Sequence, residues 1–196
     1  PSANDSTHKG LWEKKKFKGN ELRGKNIGIV GFGNVGKKVA EISNALGMNV
    51  HIFSSYFDKV KQDYISFNSS SLNKILSNSD IISFHCRPNK DGSSIITKKE
   101  INLMKKNCIL INTARGNLIN ESDLAHALKN NLVKGAALDV YQNEPAKDNE
   151  LFGLNNIILT PHIAASTDEA QIIVAEMIAN QFCEFFNNKK ITNSVT

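Results

Sequence analysis

Apolar residues along this chain alternate between short continuous runs and runs spaced at helical period. Ile27, Ile29 and Val30 form a run typical of a strand buried on both faces of a parallel sheet, and apolar residues then recur at helical spacing from residue 39 to Gly47. Further strands are predicted at 50–53, 81–85, 108–112, 136–140 and 157–159, and further helices at 72–78, 97–104, 120–131 and 166–185. The pattern predicts an α/β fold, a Rossmann-type doubly wound parallel sheet with helices on both faces.

Short polar signals mark where three of these helices begin. Thr97 with Glu100 and Ser166 with Glu169 have the spacing of capping boxes, and Asn120 has the position of a simple cap. These side chains can satisfy the free backbone N–H groups of a first helical turn. They therefore set the predicted helix boundaries.

Composition divides the chain into one predicted domain and two connecting segments. Residues 1–24 are polar and lysine-rich, with Leu11, Trp12, Phe17 and Leu22 as large apolar anchors, and residues 56–71 are serine-rich and predicted to be a surface connection. We expect a dinucleotide-binding domain at 25–190, flanked by connecting segments at 1–24 and 191–196.

Charge and cysteine content narrow the class of protein. The chain has 196 residues, enough for one well-buried α/β domain, and a formal net charge of +5. Its lysines are scattered apart from a cluster at 14–18, which indicates a solvated face that would suit an anionic cofactor or substrate and no nucleic-acid partner. Cys86, Cys108 and Cys183 are predicted to be reduced thiols, with no disulfide and no metal site. Without a stretch of membrane-spanning length or a signal-peptide core, we expect no membrane partner and a cytoplasmic location.

The turn after the first strand carries glycines at G-x-G-x-x-G spacing. In a strand–turn–helix unit, Gly31 would make the tight turn, Gly33 would let a pyrophosphate approach the backbone, and Gly36 would let the helix pack on the strand. The N–H groups of Asn34 and Val35 would then face an anion at the helix N-terminus. The motif predicts dinucleotide binding, with a plain structural turn as the alternative.

Polar residues stand where the predicted strands end, and ligands of such sheets bind at that edge. These residues are Ser54, His85, Thr113, Arg115, Asp139, Glu144 and His162. An arginine can bind a carboxylate, a histidine can exchange a hydroxyl proton, and a carboxylate can orient that histidine. Arg115, Glu144 and His162 could therefore serve one dehydrogenation, with hydride passing to a nicotinamide. The alternatives are a surface arginine, a loop histidine beside proline and a glutamate that shapes a turn.

Four stretches carry a resemblance to a known family. The chain resembles the D-isomer-specific 2-hydroxyacid dehydrogenases in Gly-Phe-Gly-Asn-Val-Gly (31–36), Ile-Asn-Thr-Ala-Arg-Gly (111–116), Gly-Ala-Ala-Leu-Asp-Val-Tyr-Gln-Asn-Glu-Pro (135–145) and Thr-Pro-His-Ile-Ala-Ala-Ser-Thr (160–167). Residues 17–25 and 166–171 look closest to the phosphoglycerate dehydrogenase branch.

The resemblance implies a role for each matching residue. Arg115 would hold the substrate carboxylate and keto oxygen, His162 would donate and accept the proton, and Glu144 would be the partner of His162. On the cofactor side, the resemblance implies contacts for Gly31, Gly33, Asn34, Val35, Gly36, Ser54, Cys86, Arg87, Thr113, Ala114, Asp139 and Ala164. Within that set, Cys86 would lie near the adenosine, Thr113 would border the nicotinamide, and Asp139 would accept from its carboxamide.

The same resemblance implies a reaction and its rivals. We expect hydride transfer between NAD and a small 2-hydroxy or 2-keto acid, with 3-phosphoglycerate as the best guess. The alternatives are a glyoxylate or hydroxypyruvate reductase and a non-enzymatic, dinucleotide-sensing regulator similar to the C-terminal-binding corepressors. A two-fold homodimer built largely by this domain is also expected, because the cofactor domains of the resembling family usually pair and because large apolar side chains in residues 101–128 exceed what one thin layer needs.

The chain departs from the family pattern in three respects. Ser54 stands where the family has its NAD-selecting aspartate, and Arg87 stands where most members have proline. NADP is therefore possible, with Ser55 and Lys59 as further contacts, unless Asp58 supplies the missing acid. The third departure is that most of the family's substrate domain is missing, so we expect a fragment or an excised domain.

Overall fold

A computed structural model describes residues 2–193 and contains a seven-stranded, fully parallel sheet. The strands are β1 (Asn26–Val30), β2 (Asn49–Phe53), β3 (Asn68–Ser69), β4 (Ile81–Phe84), β5 (Ile109–Asn112), β6 (Gly135–Leu138) and β7 (Ile157–Leu159). Their order across the sheet is β3-β2-β1-β4-β5-β6-β7. The order reverses at β1, as in a doubly wound dinucleotide-binding sheet, which confirms the predicted fold class.

Helices connect these strands on both faces of the sheet. They are α1 (Ser2–His8), α2 (Asn34–Ala45), α3 (Phe57–Val60), α4 (Leu72–Asn78), α5 (Lys98–Ile101), α6 (Glu121–Lys129) and α7 (Asp168–Asn188), with 3-10 turns at Lys61–Asp63 and Gly116–Leu118. Each predicted strand and each predicted helix has a counterpart. Helix α1 and the elements between residues 57 and 69 were not predicted.

The core forms two layers because successive side chains of a strand point to opposite faces. Ile27 and Ile29 of β1 pack with Ala40 of α2 in one cluster. Val30 belongs to the other cluster, together with Leu76 of α4 and residues of α5 and α6. This packing fixes β1 in the middle of the sheet and places the loop that follows it at the carboxyl edge.

The segment 56–71 contains more structure than its serine-rich composition indicated. Phe57 is fully buried, and its ring centroid lies 4.9 Å from that of Phe32 in the glycine turn. Tyr64 and Phe67 also pack on Phe32, at centroid distances of 5.2 and 6.2 Å. Edge-to-face aromatic pairs of this kind stabilise a fold beyond their buried area. The prediction of a surface connection was therefore wrong for these side chains, which support the glycine turn.

The helix boundaries mostly follow the predicted caps. The capping box of Thr97 and Glu100 is present, and the Asn120 side chain accepts from the Asp123 N–H. Helix α7 instead begins after Thr167, whose hydroxyl accepts from the Ala170 N–H. The capping box predicted for Ser166 was wrong by one residue.

Two surfaces differ from the predictions about packing. Most large apolar residues between 101 and 128, such as Ile101, Leu110, Leu118 and Leu124, are buried inside one chain, although Leu103 is 45% exposed, so these side chains give little support to the expected homodimer, which stays a prediction. Helix α7 has no buried residue, and its apolar side chains from Ile172 to Phe186 are exposed. Trp12 is also exposed, at 86%.

No helix within residues 2–193 is long and apolar enough to cross a membrane.

The structure describes different shares of the two segments predicted to connect the domain. Of the segment predicted at 191–196, residues 194–196 lie outside the described residues, as does residue 1 of the segment 1–24.

Candidate active site

Three loops meet where β5, β6 and β7 end at the carboxyl edge of the sheet. Because the three strands are neighbours and parallel, the residues that follow them lie side by side. Arg115 follows β5, Glu144 follows β6 and His162 follows β7. The structure thus brings together the three residues predicted to share one reaction, around a cleft of about 320 Å³.

Arg115 is placed by a turn that Asn112 holds. The buried Asn112 side chain donates to the Arg115 carbonyl at 2.9 Å and accepts from the Ala114 N–H at 3.1 Å. The guanidinium donates from Nη1 to the Ala114 carbonyl at 2.6 Å and is otherwise exposed at the cleft. A guanidinium has five donors, so most of them remain available for an anion.

Glu144 and His162 form a directly bonded pair. His162 Nδ1 lies 2.7 Å from Glu144 Oε2, while Glu144 Oε1 accepts from the Tyr141 N–H at 2.9 Å. The bond from His162 is the largest of the contacts that lower the pKa of Glu144, so the carboxylate stays ionised. Since a carboxylate accepts, Nδ1 carries its proton in this bond and Nε2 is left for a substrate. His162 has a left-handed backbone with φ of 54°, a conformation that is uncommon for a side-chain-bearing residue.

Asp139 holds the loop that carries His162. Its carboxylate accepts from the Thr160 hydroxyl and from the N–H groups of Ile163 and Ala164, the last two at 2.8 Å. Burial by itself would raise the pKa of Asp139, but these hydrogen bonds outweigh it and the pKa is lowered. Asp139 was predicted to accept from a nicotinamide carboxamide. In the structure this buried carboxylate bonds to residues before and after His162. Its Oδ1 accepts from Thr160 and Ile163, and its Oδ2 accepts from Ala164.

The glycine turn is tightly packed at Gly31 and Gly36 and open at Gly33. Gly31 has a φ of 101°, and a Cβ there would overlap the His85–Cys86 peptide, while a Cβ on Gly36 would overlap the Gly31 carbonyl. At Gly33 an added Cβ would meet nothing within 4 Å, so that side of the turn is open. Gly33 is also the N-cap of α2 and has no side-chain capping bond. Because no side chain caps this helix start, its first N–H groups remain available to an anion such as a cofactor phosphate.

The other predicted cofactor residues lie at the same edge of the sheet. Ser54 follows β2 and is half-buried, while Cys86 and Arg87 follow β4, half-buried and exposed respectively. Burial raises the pKa of the Cys86 thiol. Thr113 is exposed beside the turn of Asn112, and Ala164 contributes its N–H to Asp139. Ser54 and the Cys86–Arg87 pair thus flank β1, where the strand order reverses, whereas Thr113 and Ala164 lie farther along the edge, after β5 and β7.

Several residues that shape the site were missed from the sequence. Gly116 packs on the Tyr141–Gln142 peptide so closely that a Cβ would overlap it, which brings the loops of Arg115 and Glu144 into contact. Tyr141 is buried, and its hydroxyl donates to the Thr160 carbonyl at 2.9 Å. Glu121 accepts from two points of the loop that carries Glu144. Gly116 and Tyr141 lie within the quoted motifs, whereas an acidic residue in a first helical turn such as Glu121 is ordinarily explained by the helix dipole.

Comparison with known proteins gives this arrangement a context. Residues 1–164 match the family described as "D-isomer specific 2-hydroxyacid dehydrogenase, NAD binding domain". The whole chain is 40% identical to a D-3-phosphoglycerate dehydrogenase of Archaeoglobus fulgidus, of which it covers 37%. Over 89% of its length the chain is 38% identical to a glyoxylate reductase of Thermococcus litoralis, of which it covers 53%.

A solved structure with the same fold binds the phosphorylated dinucleotide. An acyclic imino acid reductase in complex with NADPH and D-Arg superimposes with a TM-score of 0.89 at 35% identity, covering the whole of this chain and 62% of that protein. Among the relatives matched by sequence, the chain spans about 37% of the length of the D-3-phosphoglycerate dehydrogenase of Archaeoglobus fulgidus.

Proposed function

This chain belongs to the D-isomer-specific 2-hydroxyacid dehydrogenase family, in its NAD-binding domain, and we propose that the protein carrying it oxidises or reduces a 2-hydroxy or 2-keto acid. The observation that carries the proposal is the His162–Glu144 pair, 2.7 Å apart, at a cleft shared with Arg115. A plain surface arginine, a loop histidine and a turn glutamate would have no reason to meet at one cleft.

The three side chains divide the chemistry of such a reaction. Arg115 binds the substrate carboxylate through its planar fork of donors and fixes the neighbouring carbon–oxygen group. Glu144 holds the Nδ1–H of His162, so Nε2 takes the hydroxyl proton in oxidation and returns it in reduction. When bound, the nicotinamide supplies or accepts the hydride. The residues proposed to hold this cofactor are Gly31, Gly33, Asn34, Val35, Gly36, Ser54, Cys86, Arg87, Thr113, Ala114, Asp139 and Ala164.

The proton-transfer role is tested in the full-length protein. His162→Ala is expected to lower turnover by about two to four orders of magnitude, the usual contribution of a general acid–base group. Because His162 is separate from the glycine turn, NADH affinity should stay nearly constant. His126→Ala, which removes an exposed histidine of α6, is the matched control and should keep full activity. An active His162→Ala variant with an unchanged pH dependence would contradict the assignment.

The substrate proposed first is 3-phosphoglycerate. It is supported by the 40% identity to a D-3-phosphoglycerate dehydrogenase over the whole chain. Glyoxylate or hydroxypyruvate is the second candidate, supported by the 38% identity to a glyoxylate reductase. Assays of the full-length protein against a panel of these acids, with NAD and NADP in parallel, discriminate between them. Dinucleotide binding without turnover of any acid would instead favour a sensing regulator.

The remaining expectations about the whole protein stay proposals. Residues 25–190 are proposed as the dinucleotide-binding domain, with residues 1–24 and 191–196 connecting it to a substrate domain. The length of the relatives and the exposed Trp12 support that division. A cytoplasmic location remains a prediction. The homodimer also remains one, and sedimentation at high micromolar concentration of the full-length protein tests it.

A further inference from the structure

One carboxylate closes the loop that carries Glu144. Glu121 is the first residue of α6, and its Oε1 accepts from the Gln142 N–H at 2.7 Å. Its Oε2 accepts from the Asn149 side-chain amide, also at 2.7 Å. Gln142 and Asn149 are the two ends of an excursion between β6 and β7, and Glu144 lies between them. Both oxygens of Glu121 are therefore used to hold the two ends of this loop.

The rest of the excursion depends on these two anchors. Most residues from 142 to 148 are exposed, so little apolar burial holds them in place. The flanks are firm, because Tyr141 is buried on one side and the buried Leu151 donates its N–H to Asn149 Oδ1 at 3.0 Å on the other. Charge-assisted hydrogen bonds are about twice as strong as neutral ones. Glu121 is thus a charged group of the helical layer that bonds to both ends of this loop, at shorter distances than the 3.3 Å bond between Ser122 and Glu150.

We propose that Glu121 is a positioning residue that keeps Glu144 in hydrogen-bonding register with His162. The inference rests on the proposed function, since it assigns Glu121 a part in the same reaction. Glu121 acts through the backbone of Gln142, two residues before Glu144. A displacement of about 1 Å in a reacting group can cost about a hundredfold in rate, so a loosened loop has a measurable effect.

The competing explanation is that Glu121 only stabilises the N-terminus of α6. An acidic side chain there interacts favourably with the helix dipole wherever its oxygens point. That role would change the stability of the protein, but it would leave the pH dependence of turnover and the mobility of residues 142–149 unaltered. The two explanations therefore differ in what they predict for the loop.

The bonding pattern suggests a paired substitution. Glu121→Gln keeps an acceptor for the Gln142 N–H but places an NH₂ group against the NH₂ of Asn149. A flip of the Asn149 amide would remove that conflict at the cost of its bond to the Leu151 N–H. Adding Asn149→Asp restores an acceptor for the new side-chain amide at position 121 while keeping one for Leu151. Glu150→Gln is the matched control, because Glu150 also links the loop to α6, through the Ser122 hydroxyl at 3.3 Å, without holding Gln142.

The experiment compares these variants of the full-length protein with Glu144→Gln by two readouts. The first is kcat/KM as a function of pH, together with NADH affinity. The second is the rate of tryptic cleavage after Lys147, an exposed residue inside the closed loop, which reports loop opening without any substrate. Glu121→Gln is expected to lower kcat/KM about tenfold and to move its pH profile in the same direction as Glu144→Gln. It should also speed cleavage after Lys147, with NADH affinity kept.

Two further comparisons complete the test: a second substitution that restores the hydrogen-bonding pattern, and the effect of Glu121→Gln in a Glu144→Gln background. The double variant Glu121→Gln/Asn149→Asp should regain most of the activity and protection, and Glu150→Gln should match the wild type in both readouts. In a Glu144→Gln background, Glu121→Gln should add less than about twofold, because residues acting through one group are not additive. A Glu121→Gln variant with the wild-type pH profile and the wild-type cleavage rate overturns the proposal. A wild-type protein without activity on any 2-hydroxy acid refutes the proposed function, and cleavage after Lys147 then still decides whether Glu121 holds the loop.

Discussion

Replacing Ser54 by aspartate should give this protein a clear preference for NAD over NADP. In sheets of this kind an acidic residue about 20 positions after the glycines accepts from the ribose 2′-hydroxyl, whereas a nearby arginine accommodates a 2′-phosphate. Ser54 stands at that place, directly after Phe53, whose carbonyl accepts from the Gly31 N–H at 2.9 Å. The natural sequence therefore has no carboxylate at the strand end to repel a 2′-phosphate.

The nearest alternative acid is already engaged. Asp58 lies in α3, and its carboxylate accepts from the Ser69 hydroxyl of β3, on the side of β2 away from the glycine turn. Arg87 lies on the near side, because β4 pairs with β1 and its last residue is level with Val30. Arg87 is therefore the charged residue that follows the strand next to β1, while Asp58 is bonded toward the sheet edge at β3.

The expected magnitude follows from the spacing of the strands. With strands about 4.8 Å apart, a phosphate beside the end of β1 lies roughly 5 Å from a carboxylate at position 54. Two unit charges at that distance repel by about 3 kcal/mol at an effective dielectric constant near 20, and by less than 1 kcal/mol in water. Ser54 is half-buried, so we take about 1 to 3 kcal/mol, which corresponds to roughly 5- to 150-fold in affinity.

Titration of the full-length protein with NADH and NADPH measures this preference directly. In the natural sequence the two dissociation constants should lie within about tenfold, or roughly 1.4 kcal/mol. Ser54→Asp should weaken NADPH binding by at least about fivefold, and Arg87→Gln should weaken NADPH more than NADH. Asp58→Asn is the control and should leave the ratio unchanged. A hundredfold preference for NADH in the natural protein that Asp58→Asn abolishes would refute this reasoning.

Three further predictions concern stability and turnover. Gly33→Ala should weaken NADH binding and change the free energy of unfolding by no more than about 0.5 kcal/mol, because its Cβ would enter open space. Gly36→Ala should instead lower the free energy of unfolding by about 1 to 3 kcal/mol, because its Cβ would overlap the Gly31 carbonyl. Gly116→Ala should reduce kcat more than NADH affinity, because its Cβ would push the loops of Arg115 and Glu144 apart. Burial lowers the pKa of His85 to about 4, while the unfolded chain binds that proton near pH 6.5. Because the unfolded chain takes up this proton first, the free energy of unfolding is highest above pH 6.5 and falls by up to about 3 kcal/mol as the pH drops from 6.5 to 4. In His85→Gln this part of the fall is absent, so the melting temperature should depend less steeply on pH over that range.

Each of these predictions can fail separately. A Gly33→Ala protein that melts early would mean that this position serves folding, and unaltered NADH binding would mean that the cofactor does not approach it. Equal losses of kcat and NADH affinity in Gly116→Ala would indicate a general distortion of the sheet edge. A melting temperature that falls as steeply with acid in His85→Gln as in the natural protein would assign the acid sensitivity to the carboxylates.

The parts of the fold that could be predicted are those governed by short-range pattern. Apolar runs such as Ile27 to Val30 identify buried strands because each residue of a central parallel strand meets a packed layer. The glycine spacing was equally informative, since Gly31 and Gly36 each leave no room for a Cβ. The meeting of Arg115, Glu144 and His162 could be expected because neighbouring parallel strands end at one edge.

The parts that were missed depend on contacts between distant segments. Phe57, Tyr64 and Phe67 lie in a segment rich in polar residues, and their common partner Phe32 lies in the glycine turn. Together with Val60 they are spaced three or four residues apart, as on one face of a helix, but the segment forms only the short α3 and a 3-10 turn, and the spacing does not identify Phe32 as their partner. Helix α7 shows the converse case, because its apolar pattern predicts a buried face but does not say which surface would cover it.

Contacts between distant segments also hold the exposed loops that carry Arg115, Glu144 and His162. Loops at a sheet edge have little apolar burial, while proton transfer needs reacting atoms held within fractions of an ångström. Here each loop is fixed by a polar side chain outside the cleft: Asn112 for Arg115, Glu121 for Glu144 and Asp139 for His162. Each of the three makes at least one hydrogen bond to a backbone group of its loop. Substitution of Asn112 or Glu121, neither of which is proposed to hold the cofactor, should therefore reduce turnover well before it reduces dinucleotide affinity, because the glycine turn is held by a separate set of contacts around Phe32.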